Sequence, residues 1–187
     1  MSDCPTLHTE RLALRPFEDF DLDAYAAIVM SEEVRHALHL PDTFSRSDAW
    51  RGMAQWRGQW ALRGTGHWAV VEIETGQLVG RAGLNRPELP GWPGIEVGWT
   101  IDPRHWGRGF ATEAGARSIE YAFDDIGADQ VCSVILAENG RSAAVATRLG
   151  FTLTESQVLP HFTDAPHHIW RLTREQWEPR RRASPAA

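Results

Sequence analysis

Lysine is absent from the 187-residue chain: all 19 basic residues are arginine. A GC-rich coding sequence or avoidance of reactive surface amines would each produce that bias. Cysteine is scarce too. Cys4 and Cys132 are too few for a disulfide framework or a thiolate metal site, and they fit a reducing cytoplasm. No apolar run approaches the roughly 20 residues of a membrane-spanning helix. Met1–Glu10 lacks the basic flank and apolar stretch of a secretory signal. A cytoplasmic protein with no membrane partner is therefore expected. Positive charge is in deficit, with a net charge of −6. A non-specific nucleic-acid binder is normally basic, so nucleic acid is not an expected partner.

What remains is ordinary globular composition, 42% hydrophobic and 24% charged, with an unusual 9 tryptophans. The length suits one domain, residues 1–178. Residues 179–187, with Arg180-Arg181-Arg182 followed by Ala, Ser and Pro, read as a disordered tail. Alternation marks a strand over 11–15. Helical spacing marks Asp19–Met30, and again a helix capped by Ser47 that carries Trp50, Met53, Trp56 and Trp60. That tryptophan stripe reads as core, or as the wall of an apolar pocket if exposed. The period then changes to two over His67–Ile73 and Leu78–Leu84, joined by the turn Glu74-Thr75-Gly76-Gln77. Asn85–Gly94 holds three prolines and two glycines and reads as a loop, either a plain connection or the wall of a ligand site. Strand Ile95–Ile101, helix Phe110–Ile126, buried strand Val131–Ala137, short helix Asn139–Leu149 and two closing strands, Phe151–Val158 and His168–Thr173, follow. The order β-α-α-β-β-β-α-β-α-β-β implies an α/β fold: one mixed sheet flanked by helices. His161, His167 and His168 lack a metal-ligand pattern, so no metal is expected.

One stretch carries chemistry. After strand Ile95–Ile101 and the break at Asp102-Pro103 comes Arg104-His105-Trp106-Gly107-Arg108-Gly109-Phe110-Ala111-Thr112, running straight into a helix. Gly107 and Gly109 permit backbone conformations and close approaches that a side chain blocks. Main-chain N–H groups and the helix N-terminus together form an anion cradle suited to a pyrophosphate. A Walker loop needs a lysine that this chain lacks. The dinucleotide pattern needs glycine where Thr112 stands.

Arg-x-x-Gly-x-Gly between a strand and a helix resembles the acyl-CoA loop of the GNAT N-acetyltransferases. Asn139-Gly140-Arg141-Ser142, followed by Leu149-Gly150-Phe151, resembles that family's second signature. Thr9-Glu10-Arg11-Leu12-x-Leu14-Arg15 and the run Trp106–Ala114 resemble its RimJ/RimL-type branch. Together the resemblance covers residues 7–174. It implies a GNAT fold, with the sheet splayed between Ile95–Ile101 and Val131–Ala137. It implies acetyl-CoA as cosubstrate, its phosphates held by the Arg104–Thr112 segment and its pantetheine arm by the backbone of Trp99, Thr100 and Ile101. Asn139 and Ser142 then approach the pantetheine, while Asn139 also suits a plain helix N-cap. Gly98 fits a bulge that exposes N–H groups to the thioester.

An amine must lose a proton to attack, so a base is required. Glu96, an acid within an apolar strand, is the candidate, because burial raises a carboxyl's pKa toward working pH. A solvent-facing glutamate is the plain alternative. The family's usual tyrosine acid falls at Ala146 here, which leaves Ser142 as the candidate acid. The expected activity is direct acetyl transfer to a primary amine, either a protein N-terminus or a small molecule. Two alternatives are a CoA-binding sensor without turnover and an enzyme using another acyl-CoA. A homodimer is compatible with the sequence.

Overall fold

The computed structural model describes residues 4–159 and 165–183, the side chains of 182 and 183 excepted. Strands β1 (Leu7–His8), β2 (Leu12–Arg15), β3 (His67–Glu72), β4 (Leu78–Asn85), β5 (Glu96–Ile101), β6 (Gln130–Leu136), β7 (Thr152–Val158) and β8 (Pro166–Thr173) form one sheet. Their order is β1-β2-β3-β4-β5-β6-β8-β7. All neighbours are antiparallel except β5 and β6. The mixed α/β sheet expected from the element order is what forms.

Two cores lie on opposite faces of the sheet. Helices α1 (Leu22–Val29), α2 (Glu32–Ala37) and α3 (Arg46–Arg63) cover one face. There Phe17, Tyr25, Val29, Met53 and Trp56 pack with Ala69 of β3. Helix α4 (Phe110–Asp124) covers the other, burying Phe110, Ala114, Ile119, Ala122 and Phe123, one stripe at helical spacing. Leu84, Val97 and Val131 meet it from the sheet. Gly115 is required here: a Cβ would sit 2.9 Å from Leu149 of α5 (Gly140–Leu149) and 3.4 Å from Trp99. Trp56 and Trp60 of the tryptophan stripe are core, while Trp50 is half exposed.

Two expectations need correcting, and one helix was not foreseen. The cap of α3 is Ser45, whose N–H donates to Asp48 at 2.9 Å, rather than Ser47. Helix α2 was not legible, because its six residues span too few turns to show a period. The tail is not loose over residues 179–183: helix α6 (Arg174–Ala183) runs through Pro179. It is docked by buried Trp177 and by Arg181, which pairs with Asp124 at 2.6 Å. Pro179 and the arginine run imitate a breaker and a solvated end, and tertiary contacts outweigh both. Residues 184–187 and His161 lie outside the described residues.

Candidate active site

The Asp102–Gly109 loop is built by local chemistry. Pro103 starts a 3-10 turn over Pro103–His105, and Asp102 accepts from the Arg104 N–H at 2.9 Å. Gly107 (φ 80°) and Gly109 (φ 84°) then take left-handed conformations that disfavour side chains. The consequence is a run of main-chain donors. From Gly107 to Thr112 no amide N–H finds an acceptor among the described residues, and the next one, at Glu113, bonds Gly109. These donors coincide with the positive end of the α4 dipole.

The loop is clamped from the N-terminal segment. Glu113 accepts from the Thr9 hydroxyl at 2.6 Å, the Arg11 N–H at 3.0 Å and the Arg11 guanidinium at 2.8 Å. Arg11 also donates to the Arg108 carbonyl at 2.9 Å. This gives Thr9-Glu10-Arg11 a physical role: it fixes the cradle's outer wall.

Beside the cradle the sheet parts. β4 and β5 share six paired positions, Glu96 to Ile101, whereas β5 and β6 share only Glu96–Cys132. Beyond Glu96, the outer edge of β5 faces a cavity of about 600 Å³. Trp99, Thr100 and Ile101 line it from β5, with His105, Trp106 and Gly107 from the loop, Gly109 to Thr112 from the start of α4, and Asn139 and Ser142 from α5. Two lining residues bury polar atoms without hydrogen-bond partners, Thr100 Oγ1 and His105 Nδ1. A ligand long enough to cross the cavity, with acceptors at its anionic end, fits these donors; CoA has that shape and charge.

Not every expected residue faces the cavity. The Arg104 side chain turns to Asp102, and Arg108 pairs with Glu72 while lying 4.5 Å over the Phe110 ring. Neither residue lines the cavity; the Arg104 N–H is already taken by Asp102, and only the Arg108 N–H belongs to the unclaimed run. Asn139 caps α5 by accepting the Ser142 N–H at 3.0 Å, and it donates to the Ala37 carbonyl at 3.1 Å. That second bond ties α2 over the site, so Val34, Ala37 and Leu38 become cavity walls that no sequence signal announced. Ala146 is fully buried and carries no hydroxyl.

Glu96 sits where the strands part. Asn85 donates to its carboxylate at 2.9 Å, and the Val134 N–H donates as well. Burial dominates these bonds and the nearby Arg81 charge, and pushes its pKa from 4.5 up to about 7. The plain alternative, a solvent-facing strand acid, does not describe this environment. Gly98 is not a bulge, since the β4–β5 register runs unbroken through it. It is glycine for clearance: a Cβ there would lie 3.0 Å from Cε1 of His67. His67 and Arg81 escaped the sequence reading because they lie on β3 and β4, away from every motif.

Comparisons with known proteins point the same way. A family model described as an acetyltransferase (GNAT) domain matches residues 11–152. An uncharacterized N-acetyltransferase, p20 of Bacillus licheniformis, is 29% identical over 147 residues, which span 78% of this chain and 82% of that protein. The FsC-acetyl coenzyme A-N(2)-transacetylase of Aspergillus fumigatus is 25% identical over 191 residues, 92% of this chain and 78% of that protein. A solved acetyltransferase from Agrobacterium tumefaciens matches with a TM-score of 0.80 at 30% identity, covering 91% of this chain and 95% of its own.

Proposed function

This chain belongs to the GNAT acetyltransferase family, and on that premise we propose that it moves an acetyl group from acetyl-CoA to a primary amine, with Glu96 as the base. The observation that carries this reading is the run of unclaimed amides from Gly107 to Thr112, opening onto a parted sheet with a protonatable carboxyl at the fork. The amides of Gly107 to Thr112 hold the diphosphate. The free edge of Trp99, Thr100 and Ile101 receives the pantetheine arm as an added strand. Acetyl-CoA supplies an activated thioester.

A pKa near 7 suits Glu96 to proton removal, because it can take a proton from the ammonium or attacking amine close to neutral pH. The new C–N bond forms as the C–S bond breaks, so no enzyme nucleophile is needed. Cys132 supports this by default, because it is buried and its thiol is pushed far up by burial. Ser142 is the hydroxyl nearest the signature helix start and is assigned to protonate the departing thiolate, or to hold it. The family likeness with the RimJ/RimL-type branch rests on Thr9-Glu10-Arg11 and on Trp106–Ala114, and it favours a peptide N-terminus as the acceptor.

Calorimetry with acetyl-CoA and with free CoA tests the cradle. Mass spectrometry of a peptide and amine pool incubated with the protein and acetyl-CoA tests turnover. Absence of binding at millimolar CoA refutes the site. Tight binding without any acetylated product makes the protein a CoA sensor instead.

A further inference from the structure

A histidine that the proposed transfer does not use lies beside the proposed base. His67 starts β3, Gly83 stands opposite it on β4, and Gly98 stands opposite Gly83 on β5. With two glycines in that row, no side chain blocks the face, and the His67 imidazole extends across it toward β5. The point where a Gly98 Cβ would sit is 3.4 Å from His67 Nε2 and 3.9 Å from Glu96 Oε1. The two groups therefore flank one point beside Gly98 and are no more than about 7 Å apart, a gap that one acceptor carrying two polar groups can bridge. In the neighbouring row Thr100 buries its hydroxyl without a partner.

The proton on His67 is fixed by its neighbour. Arg81 lies 2.7 Å from Nδ1, and a guanidinium can only donate, so Nδ1 is the acceptor and Nε2 carries the hydrogen. Arg81 is itself held, 4.8 Å over the Trp56 ring, with a hydrogen bond to Tyr25. The imidazole stacks on Trp56 at 5.0 Å. Burial and the Arg81 charge both keep it neutral. His67 is therefore a poor base and a fixed donor. Among the described residues no hydrogen bond engages Nε2, so its N–H is available to a ligand oxygen.

We propose that His67 determines which acceptors the site takes: its Nε2–H binds an oxygen next to the reacting amine, so amines with a carbonyl on the adjacent carbon are preferred over bare alkylamines and polyamines. This rests on the proposed acetyl transfer and on Glu96 taking the amine. The amine donates to Glu96 while the carbonyl oxygen accepts from His67, which spans the gap with two hydrogen bonds. A propylamine leaves Nε2–H unsatisfied. A polyamine also brings a second cation toward Arg81. Peptide N-termini and free amino-acid amides share the required chemistry.

The test uses the full chain, labelled with ¹⁵N-histidine and saturated with free CoA so that no turnover occurs. Long-range ¹H–¹⁵N spectra report the tautomer of His67. The expected result is an Nε2–H tautomer whose Nε2 signal moves with alaninamide and with an Ala-Ala-Ala peptide but not with propylamine. A larger response to the peptide than to alaninamide identifies a polypeptide acceptor, and equal responses identify a small amino compound. An Nδ1–H tautomer, or equal movement with propylamine, overturns the proposal. So does an unmoved signal in a protein that acetylates amines. Loss of CoA binding is a separate result that overturns the acetyl-transfer reading. As a second measurement, His67→Phe retains the ring packing on Trp56. It is expected to lower kcat/KM for alaninamide at least tenfold relative to propylamine. An unchanged ratio refutes the assignment even if both rates fall.

Discussion

Replacing Glu96 by Gln removes the proposed base and also a largely desolvated ionisable group, and the two effects have opposite signs. In the unfolded chain Glu96 titrates near its ordinary 4.5, and in the folded chain near 7. The folded state binds the proton more tightly, so this carboxyl supports folding fully below about pH 4.5. Its contribution is lost as pH rises through 7. At 1.36 kcal/mol per pH unit the difference amounts to at most about 3 kcal/mol. Gln keeps the size and the carbonyl that accepts from Asn85, and it does not titrate. The variant should match wild type near pH 4.5 and exceed it at pH 8 by up to about 3 kcal/mol. Urea unfolding of both ligand-free proteins at several pH values measures this. Subtracting the two curves cancels every other titrating group. Turnover should fall about a hundredfold or more, with CoA affinity unchanged. Wild-type kcat/KM should drop about tenfold per pH unit below 7. Parallel stability curves would show that Glu96 is not held protonated. Unchanged turnover would remove it from the chemistry.

Gly109→Asp forces a side chain into a φ of 84° and adds charge beside the amide run. CoA affinity by calorimetry should weaken by more than about tenfold, the equivalent of 1.4 kcal/mol. Gly98→Ala places a methyl 3.0 Å from His67 Cε1 and displaces the ring. Acceptor kcat/KM should fall about tenfold to a hundredfold while CoA affinity holds, since Gly98 is outside the cavity lining. Glu113→Gln weakens the clamp from Thr9 and Arg11. Thermal unfolding should register a loss of about 1 kcal/mol, because these bonds are charge-assisted but partly exposed. CoA should also bind more weakly as the cradle loosens.

The sheet and its principal helices were legible because their signals are local. Alternation in 67–73 and 78–84, the stripe of α4 and the turn glycines each reside within a few residues. The proposed CoA cradle was legible for the same reason: its donors are consecutive amides, and their geometry depends on Gly107 and Gly109. Gly98 shows the limit. From the sequence it reads as a bulge, yet the side chain that crowds it is that of His67, one strand beyond its partner β4 and thirty-one positions earlier in the chain. Helix α6 shows another, since Pro179 and three arginines argue locally for a loose end while Trp177 and Arg181 find partners elsewhere.

By itself the sequence determined which segments pair with water or core, where the chain turns, and that a run of unclaimed amides opens at the start of α4, because periodicity and glycine conformation are properties of neighbours along the chain. Only the tertiary structure decided how strongly Glu96 holds its proton, which nitrogen of His67 carries hydrogen, and that α2 walls the cavity. Those depend on desolvation and on contacts between strands distant in sequence, and neither quantity exists until the sheet has closed around them.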